Sequence, residues 1–199
     1  MSPMVRTRIA LAVTATALVL GGCSAGADEP APSPAASVDT PTSSAASTTT
    51  SANTPRDARD KVSAAEADAK LTVVDIRTGR HDGFDRVVYE LGGEGMPGWR
   101  VGYVDEAIQD GSGNPVAVAG DAVLQVLIDG SAYPFDSGVE QYDGPNPVLA
   151  EPGGSVVEVN GSGVFEGVTQ SFVGIAEAGT PFSVYSLTGP TRVVIDVAR

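Results

Sequence analysis

Two nearly identical six-residue stretches constrain the fold of this 199-residue chain more than any other feature. They read RVVYEL at 86–91 and RVVIDV at 192–197. Side chains alternate between the two faces of a β-strand, so each stretch would place an arginine, a valine and an acid on one face. The opposite face would be apolar or aromatic. This alternation predicts two strands that each cover a hydrophobic core on one side.

The charges of the two stretches also predict how the strands could pair. In an antiparallel arrangement Arg86 lies opposite Asp196 and Glu90 lies opposite Arg192, in a single register. Opposite charges across a strand pair contribute roughly 0.2–1 kcal/mol each. The alternative is that the strands occupy equivalent places in two separate sheets and never touch. If their charged faces are exposed and unpaired, these four residues are the best candidates for a binding face.

The remainder of residues 70–199 has the same strand-like character. Short apolar runs are separated by glycine, proline, asparagine and aspartate. Asn160-Gly161 is a hairpin-turn signal because both residues tolerate positive φ. No window has a stronger helical period. We therefore predict an all-β domain over 70–199, an antiparallel β-sandwich, which at this size buries a core without disulfides.

The N-terminal region has the pattern of a secretion signal that ends at a lipid-attachment site. Residues 1–22 contain Arg6 and Arg8, followed by an uncharged, largely apolar run, Ile9–Leu20, which is too short to cross a bilayer as a helix. The run ends in LGGC, which resembles the bacterial lipobox. The resemblance implies cleavage before Cys23, the only cysteine, and diacylation of its thiol. The alternative is an ordinary secretory signal in which the cysteine stands by chance.

Residues 23–69 have the composition of a linker. Serine, threonine, proline and alanine dominate, and 24–53 contains no Leu, Ile, Phe, Tyr or Trp. Such a segment buries too little apolar surface to offset the entropy lost on ordering. We therefore predict a disordered tether that holds the domain away from the membrane. Arg56–Lys70 is more mixed, and we interpret it as a frayed helix or linker and not as core.

Charge and composition exclude several classes of function. The chain has 12 Lys+Arg against 25 Asp+Glu and a net charge of −13, which disfavours binding to nucleic acids and to anionic lipid head groups. With one cysteine and one histidine, His81, it cannot build a thiolate or histidine-rich zinc site or a Cys–His pair. We predict no metal, no cofactor and no enzymatic activity. The alternative is a small glycan hydrolase that uses a pair of carboxylates, because the many acids make such a pair possible.

Asp110–Asp121 partly resembles a calcium loop. Oxygen-bearing side chains alternate at its start and an acid stands at its twelfth position, but Pro115 occupies the sixth position, where such loops need glycine. We interpret this segment as a polar turn between strands. Weak calcium binding is the alternative that its acidity leaves open.

Several aromatic side chains could stack on sugar rings if they lay at the surface: Trp99, Tyr103, Tyr133, Phe135 and Tyr142. Most aromatic residues in a domain of this size belong to the core. Trp99 and Tyr142 stand near glycine and proline in the sequence, which is typical of loop rims. We therefore select these two as candidate exposed aromatics.

The strand motifs also carry a family resemblance. FDRVVYELGG, PGWRVGYVD and FVGIAEAGTPFSVYSLTGPTRVVIDVA together resemble the AMIN-like domain of actinobacterial lipoproteins. The closing motif of that family is matched by Phe182, Val184, Leu187, Pro190, Arg192, Val193, Val194 and Asp196. The resemblance covers about Leu71–Arg199. AMIN domains proper are small β-sandwiches that target proteins to peptidoglycan without catalysing a reaction, so the resemblance implies that role here.

These features predict a lipid-anchored, non-catalytic binding module on the outer face of the cell membrane. Its partner would be peptidoglycan or a wall-associated protein. The alternative from a different class is a structural or chaperone-like lipoprotein that binds another secreted protein through a sheet edge or a loop face.

The lipid anchor is tested by metabolic labelling with radioactive palmitate. Label should enter the wild-type protein and be absent from Cys23→Ala, because no other thiol is present. Two acyl chains anchor firmly, since each buried CH₂ contributes about 0.8 kcal/mol. Equal labelling of the two proteins would refute the assignment of Cys23.

Overall fold

A computed structural model describes residues 53–199. The predicted signal peptide, Cys23 and the tether up to residue 52 lie outside the described residues. Within 53–199, no helix has both the length and the apolar character needed to cross a membrane.

Two antiparallel sheets pack against each other in the described part of the chain, which confirms the predicted β-sandwich. The four-stranded sheet contains, in spatial order, β2 (Lys70–His81), β3 (Phe84–Glu94), β10 (Thr191–Ala198) and β9 (Phe182–Leu187). The six-stranded sheet contains, in spatial order, β1 (Lys61–Ser63), β4 (Gly98–Val104), β5 (Ala122–Asp129), β8 (Val168–Ile175), β7 (Val156–Phe165) and β6 (Val148–Leu149). A one-turn helix, α1 (Pro134–Ser137), follows β5.

The two similar stretches form neighbouring strands of one sheet. Residues of β10 pair with β3 antiparallel, with Asp196 opposite Arg86 and Arg192 opposite Glu90. The predicted register is therefore confirmed, and the alternative of two separate sheets is excluded. Within β3, Val87, Tyr89 and Leu91 are buried and the residues between them are half-buried, as the alternation predicted.

The core consists of the inward-facing side chains of both sheets. Side chains alternate between the two faces of a strand, and in β3, β5 and β10 every second residue is aliphatic or aromatic. Each of these strands therefore places one apolar face in the core. The largest fully buried side chains include Tyr89, Phe182, Leu71, Leu124, Ile128, Ile175 and Ile195. Burying side chains of this size contributes about 1.5–3 kcal/mol each before the cost of ordering them.

The segment before β2 belongs to the sandwich, which the sequence did not indicate. The backbone N–H of Phe182 in β9 donates to the carbonyl of Asp57 at 3.0 Å, and β1 pairs with Trp99–Val101 of β4. The interpretation of Arg56–Lys70 as a frayed helix or linker is therefore wrong for β1. The reason is that backbone pairing holds this strand. Its one large apolar side chain, Val62, is 71% exposed, so no apolar pattern marks it.

A buried hydroxyl chain joins the sheets at the centre of the core. The hydroxyl of Tyr89 in β3 lies 2.9 Å from Ser171 Oγ in β8, and Ser171 Oγ donates to the Asn160 carbonyl at 3.1 Å. Because the single hydroxyl proton of Ser171 is used there, Tyr89 is the donor in the first bond. The Asn160 carbonyl is available because the register between β7 and β8 shifts beyond this residue. A buried tyrosine hydroxyl thus finds its required partner.

Asp85 makes a second polar link between the sheets, at the beginning of β3. Its Oδ2 accepts hydrogen bonds from the backbone N–H groups of Ser155 at 2.6 Å and Val156 at 3.2 Å. Asp85 as a whole is 5% exposed. A Cβ atom on Gly154 would lie 2.1 Å from this oxygen, so only glycine fits there. Asp85 therefore fixes the start of β7 against the four-stranded sheet.

Removal of this carboxylate should destabilise the fold. In Asp85→Ala the N–H groups of Ser155 and Val156 lose their acceptor, and each buried unsatisfied group costs about 1–3 kcal/mol. We expect the free energy of unfolding in urea to fall by about 3 kcal/mol. The matched control is Asp82→Ala, which removes an exposed carboxylate nearby. Equal unfolding midpoints for the two variants would contradict the role of Asp85.

Candidate functional site

The predicted binding face on β3 and β10 contains an ion pair that is satisfied internally. Arg86 Nε donates to Asp196 Oδ1 at 2.7 Å, and Arg86 Nη2 donates to Asp196 Oδ2 at 2.9 Å. This two-point geometry is the strong form of an arginine–carboxylate pair. Hydrogen bonding to Asp196 raises the pKa of the Arg86 guanidinium. Asp196 is 3% exposed, so it has little surface to offer a ligand.

Two aromatic rings surround this ion pair. The Tyr185 hydroxyl donates to Asp196 Oδ2 at 3.1 Å, and the guanidinium carbon of Arg86 lies 5.0 Å from the Phe84 ring centroid and 5.9 Å from that of Tyr185. Burial, followed by the negative charge of Asp196, raises the pKa of Tyr185 to about 12. The arrangement holds both charged groups in place and stabilises the pairing of β3 with β10.

The other two residues of the predicted face do not contact each other. Arg77 of β2 donates to Glu90 Oε2 at 3.0 Å and also to Asp75. Arg192 donates through Nε to the Pro190 carbonyl at 3.1 Å. Thus Glu90 and Arg192 stand opposite in register, but the predicted ion pair between them does not form. The reason is that β2 flanks β3 on its other side and supplies a competing arginine.

The two selected aromatics are partly buried. Trp99 and Tyr142 both pack against the hydrophobic core. Trp99 shares a face of β4 with the buried Val101, as strand alternation requires. Tyr142 donates its hydroxyl to the Pro145 carbonyl at 2.9 Å, and its backbone N–H binds the Val73 carbonyl at 2.8 Å. Neither ring is the freely exposed rim residue that its glycine- and proline-rich surroundings suggested.

The most exposed aromatic ring is on the loop after β5. Phe135 is 82% exposed and Tyr133 is 41% exposed. Their ring centroids are 5.4 Å apart and their planes differ by 9°. Both residues belong to the set of possible sugar-stacking aromatics in the sequence but were not selected. Pro134 between them was the available signal, because proline is typical of the first turn of a short helix at the surface.

A groove of about 600 Å³ lies at the end of the sandwich where β7 and β9 begin and β8 and β10 end. Its walls are mostly glycine, alanine, serine, threonine and proline, and its two charged residues are Glu177 and Arg199. The volume is within the range of small-molecule sites. Small side chains leave the backbone accessible, so the groove suits a polar ligand with hydrogen-bonding groups.

Buried Asp85 lies between two arginines and binds the backbone of Ser155, which lines this groove. Its Oδ1 is 3.8 Å from Nε of Arg80 and 3.8 Å from Nε of Arg199, and it accepts no hydrogen bond from the described residues. Arg80 also donates to the carbonyls of Glu151 and Pro152, both at 2.9 Å. Sequence reasoning missed Asp85. The available signal was its position two residues before Val87, which places an acid on the apolar face of β3.

Two of the buried acids lie on opposite faces of one sheet. In the described part of the chain the buried acids are Asp85, Glu158 and Asp196. Glu158 accepts the backbone N–H of Ala119 at 3.0 Å. Asp85 and Arg86 are consecutive in β3, so their side chains lie on opposite faces of the sheet. Asp196 binds Arg86 and therefore lies on the face opposite to Asp85. These two carboxylates cannot flank a single glycosidic bond, as a two-carboxylate mechanism requires.

His81 packs on an aromatic ring, and backbone bonds close the calcium-like loop. His81 stacks on Phe84, with ring centroids 4.9 Å apart and planes at 10°. No group of three or more histidine, cysteine or acidic side chains in residues 53–199 is arranged to hold a metal ion. Within the calcium-like loop, Ile108 and Pro115 form a β-bridge and the Gly113 N–H donates to the Gln109 carbonyl at 2.9 Å. This is the turn-rich connection predicted between strands.

The comparison with protein-family models identifies the folded region. The model described as AMIN-like domain matches residues 71–199, which include all strands from β3 to β10 and nearly all of β2. No curated protein and no solved structure matches the chain.

The Tyr185 environment predicts a pH dependence of stability. The folded state keeps the Tyr185 proton up to a pKa of about 12, whereas an unfolded tyrosine loses it near pH 10, at about its ordinary pKa. The unfolded chain therefore binds fewer protons in this window, and the free energy of unfolding should fall as the pH rises from about 10 to about 12. Tyr185→Phe should show a shallower fall in urea titrations across this range. An identical pH dependence in both proteins would contradict the assignment.

Proposed function

Because the chain belongs to the AMIN-like domain family, we propose that it is an extracytoplasmic binding module that associates with peptidoglycan. The observation that carries this proposal is the family match over 71–199, since it spans nearly the whole sandwich. The family relationship suggests a peptidoglycan-associated role. The groove of about 600 Å³ and the exposed aromatic pair are surfaces that such a role could use.

The module is attached to the outer face of the cell membrane through lipidated Cys23. Support comes from the lipobox-like LGGC and the linker composition of 23–52. A flexible chain of this length would span on the order of 30 Å and let the sandwich reach wall material near the membrane.

The module acts by binding and not by catalysis. The buried carboxylates at Asp85, Glu158 and Asp196 are each engaged by guanidinium groups or backbone N–H groups. Catalytic acids need an open cleft and a perturbed pKa that is matched to proton transfer. The occupied state of these three acids supports a structural role for them.

One observation favours the second candidate, a lipoprotein that binds another secreted protein. β9 is an edge strand, and beyond Phe182 its strand partner among the described residues is β10 alone. An exposed edge can accept an extended segment of a partner as an added strand. Val184–Leu187 are the residues that would receive it.

Co-sedimentation with purified insoluble peptidoglycan separates these candidates. The full chain in mild detergent should pellet with peptidoglycan and stay in solution with cellulose particles of equal mass. Because the chain is net acidic, binding should be local and largely retained when salt rises from about 0.1 M to about 1 M, where the Debye length falls from about 10 Å to about 3 Å. Absence of the chain from the peptidoglycan pellet would refute the proposal and leave the protein-binding candidate.

A further inference from the structure

We propose that Phe135, supported by Tyr133, is a stacking surface for a neutral sugar ring of a glycan strand. Phe135 is 82% exposed, more than any other large hydrophobic side chain in residues 53–199. This inference deepens the proposed function, on which it rests for the identity of the glycan as peptidoglycan. The part of peptidoglycan that binds at the loop after β5 is then its saccharide.

The two rings are arranged so that one face of Phe135 stays open. Ring centroids 5.4 Å apart and planes within 9° of parallel describe an offset stack. Tyr133 backs Phe135 from one side, which restricts its rotation. The face of Phe135 turned away from Tyr133 is flat and accessible. The negative face of an aromatic ring attracts the weakly positive C–H groups that cover one side of a pyranose.

The loop that carries the rings is held rigidly by buried Thr72. The Thr72 hydroxyl donates to the Ala132 carbonyl at 2.9 Å, and Ser137 Oγ lies 2.6 Å from Thr72 Oγ1. Since Thr72 has only one hydroxyl proton, Ser137 is the donor in the second bond. The Ala132 N–H also binds the Leu71 carbonyl at 2.8 Å. Both ends of the turn that contains Phe135 are therefore fixed to β2.

The turn itself has little conformational freedom. Pro134 restricts φ at the start of α1, and Gly138 ends it in the left-handed conformation at φ 75°. The backbone N–H groups of Asp136 and Ser137 both bind the Tyr133 carbonyl, at 2.9 and 3.0 Å. A ring on such a support loses little entropy when a ligand stacks on it. The exposed phenylalanine is thus prearranged for binding.

The charges along the segment that carries the rings select among possible occupants. Residues 131–143 contain the acids Asp136, Glu140 and Asp143 and neither lysine nor arginine. Membrane-surface segments combine aromatic residues with basic ones, and anionic lipid or phosphate polymers would be repelled here. The hydroxyl and amide N–H groups of a neutral sugar can instead donate to these carboxylates. A neutral saccharide is therefore the occupant that both the rings and the charges favour.

The test uses the full chain in mild detergent and a defined probe, the β-1,4-linked tetramer of N-acetylglucosamine, in isothermal titration calorimetry. The wild type should bind, and Phe135→Ala should weaken the affinity about tenfold or more. The matched control is Phe165→Ala, which also truncates an exposed phenylalanine, 42% exposed, outside this loop. That control should stay within about twofold of the wild type. Urea unfolding of Phe135→Ala should match the wild type, because the ring is not part of the core.

The outcomes separate this inference from the proposed function. Wild type and Phe135→Ala binding the tetramer equally, or the wild type giving no heat, would overturn the stacking surface. Binding to anionic or neutral vesicles that depends on Phe135 would overturn it in favour of a membrane contact. If both proteins pellet equally with peptidoglycan, the proposed function stands and the stacking surface fails. If Phe135-dependent tetramer binding occurs without pelleting, the stacking surface stands and the proposed function fails.

Discussion

The antiparallel pairing of β3 with β10 determines the rest of the four-stranded sheet. Their register sets Arg86 against Asp196, and the same alternation sends Val87, Tyr89 and Ile195 into the core. A shift by one residue would bury the charged set and expose the apolar one. β2 and β9 then add to the two outer sides of this pair, and Asp85 and Tyr89 connect it to the six-stranded sheet.

The sequence predicted those features that depend on side-chain alternation. It anticipated the sandwich and the register of β3 with β10, because apolar periodicity and cross-strand charge are local properties of each strand. It did not anticipate β1, which is held by backbone bonds to β4 while Val62 points outward. Nor could it show that Arg77 would bind Glu90, since that contact requires knowing which strand lies beside β3.

For the candidate surfaces too, the sequence could not predict what depends on contacts between distant segments. The charged residues that the sequence singled out are largely engaged by one another or by neighbouring strands, so they support the sheet more than they offer contacts. The exposure of Phe135 depends on hydrogen bonds from Thr72 to a loop some sixty residues further along the chain. Burial of Trp99 depends likewise on how β4 packs. Such contacts between distant segments leave no periodic signal in the sequence.

The segment from Asp57 to β1 gives the sandwich a directional response to mechanical load. Tension arriving from the N-terminal side would first reach the hydrogen bond from Ser183 Oγ to the Asn53 carbonyl and the bridge of Asp57 to Phe182. It would then reach the three-residue pairing of β1 with β4. These contacts are few and lie at sheet edges, whereas β3 and β10 are paired on both sides. Under strain the edge would peel away and lengthen the connection while the core stayed folded. The arrangement would make this edge of the sandwich an extensible joint that yields before the core does.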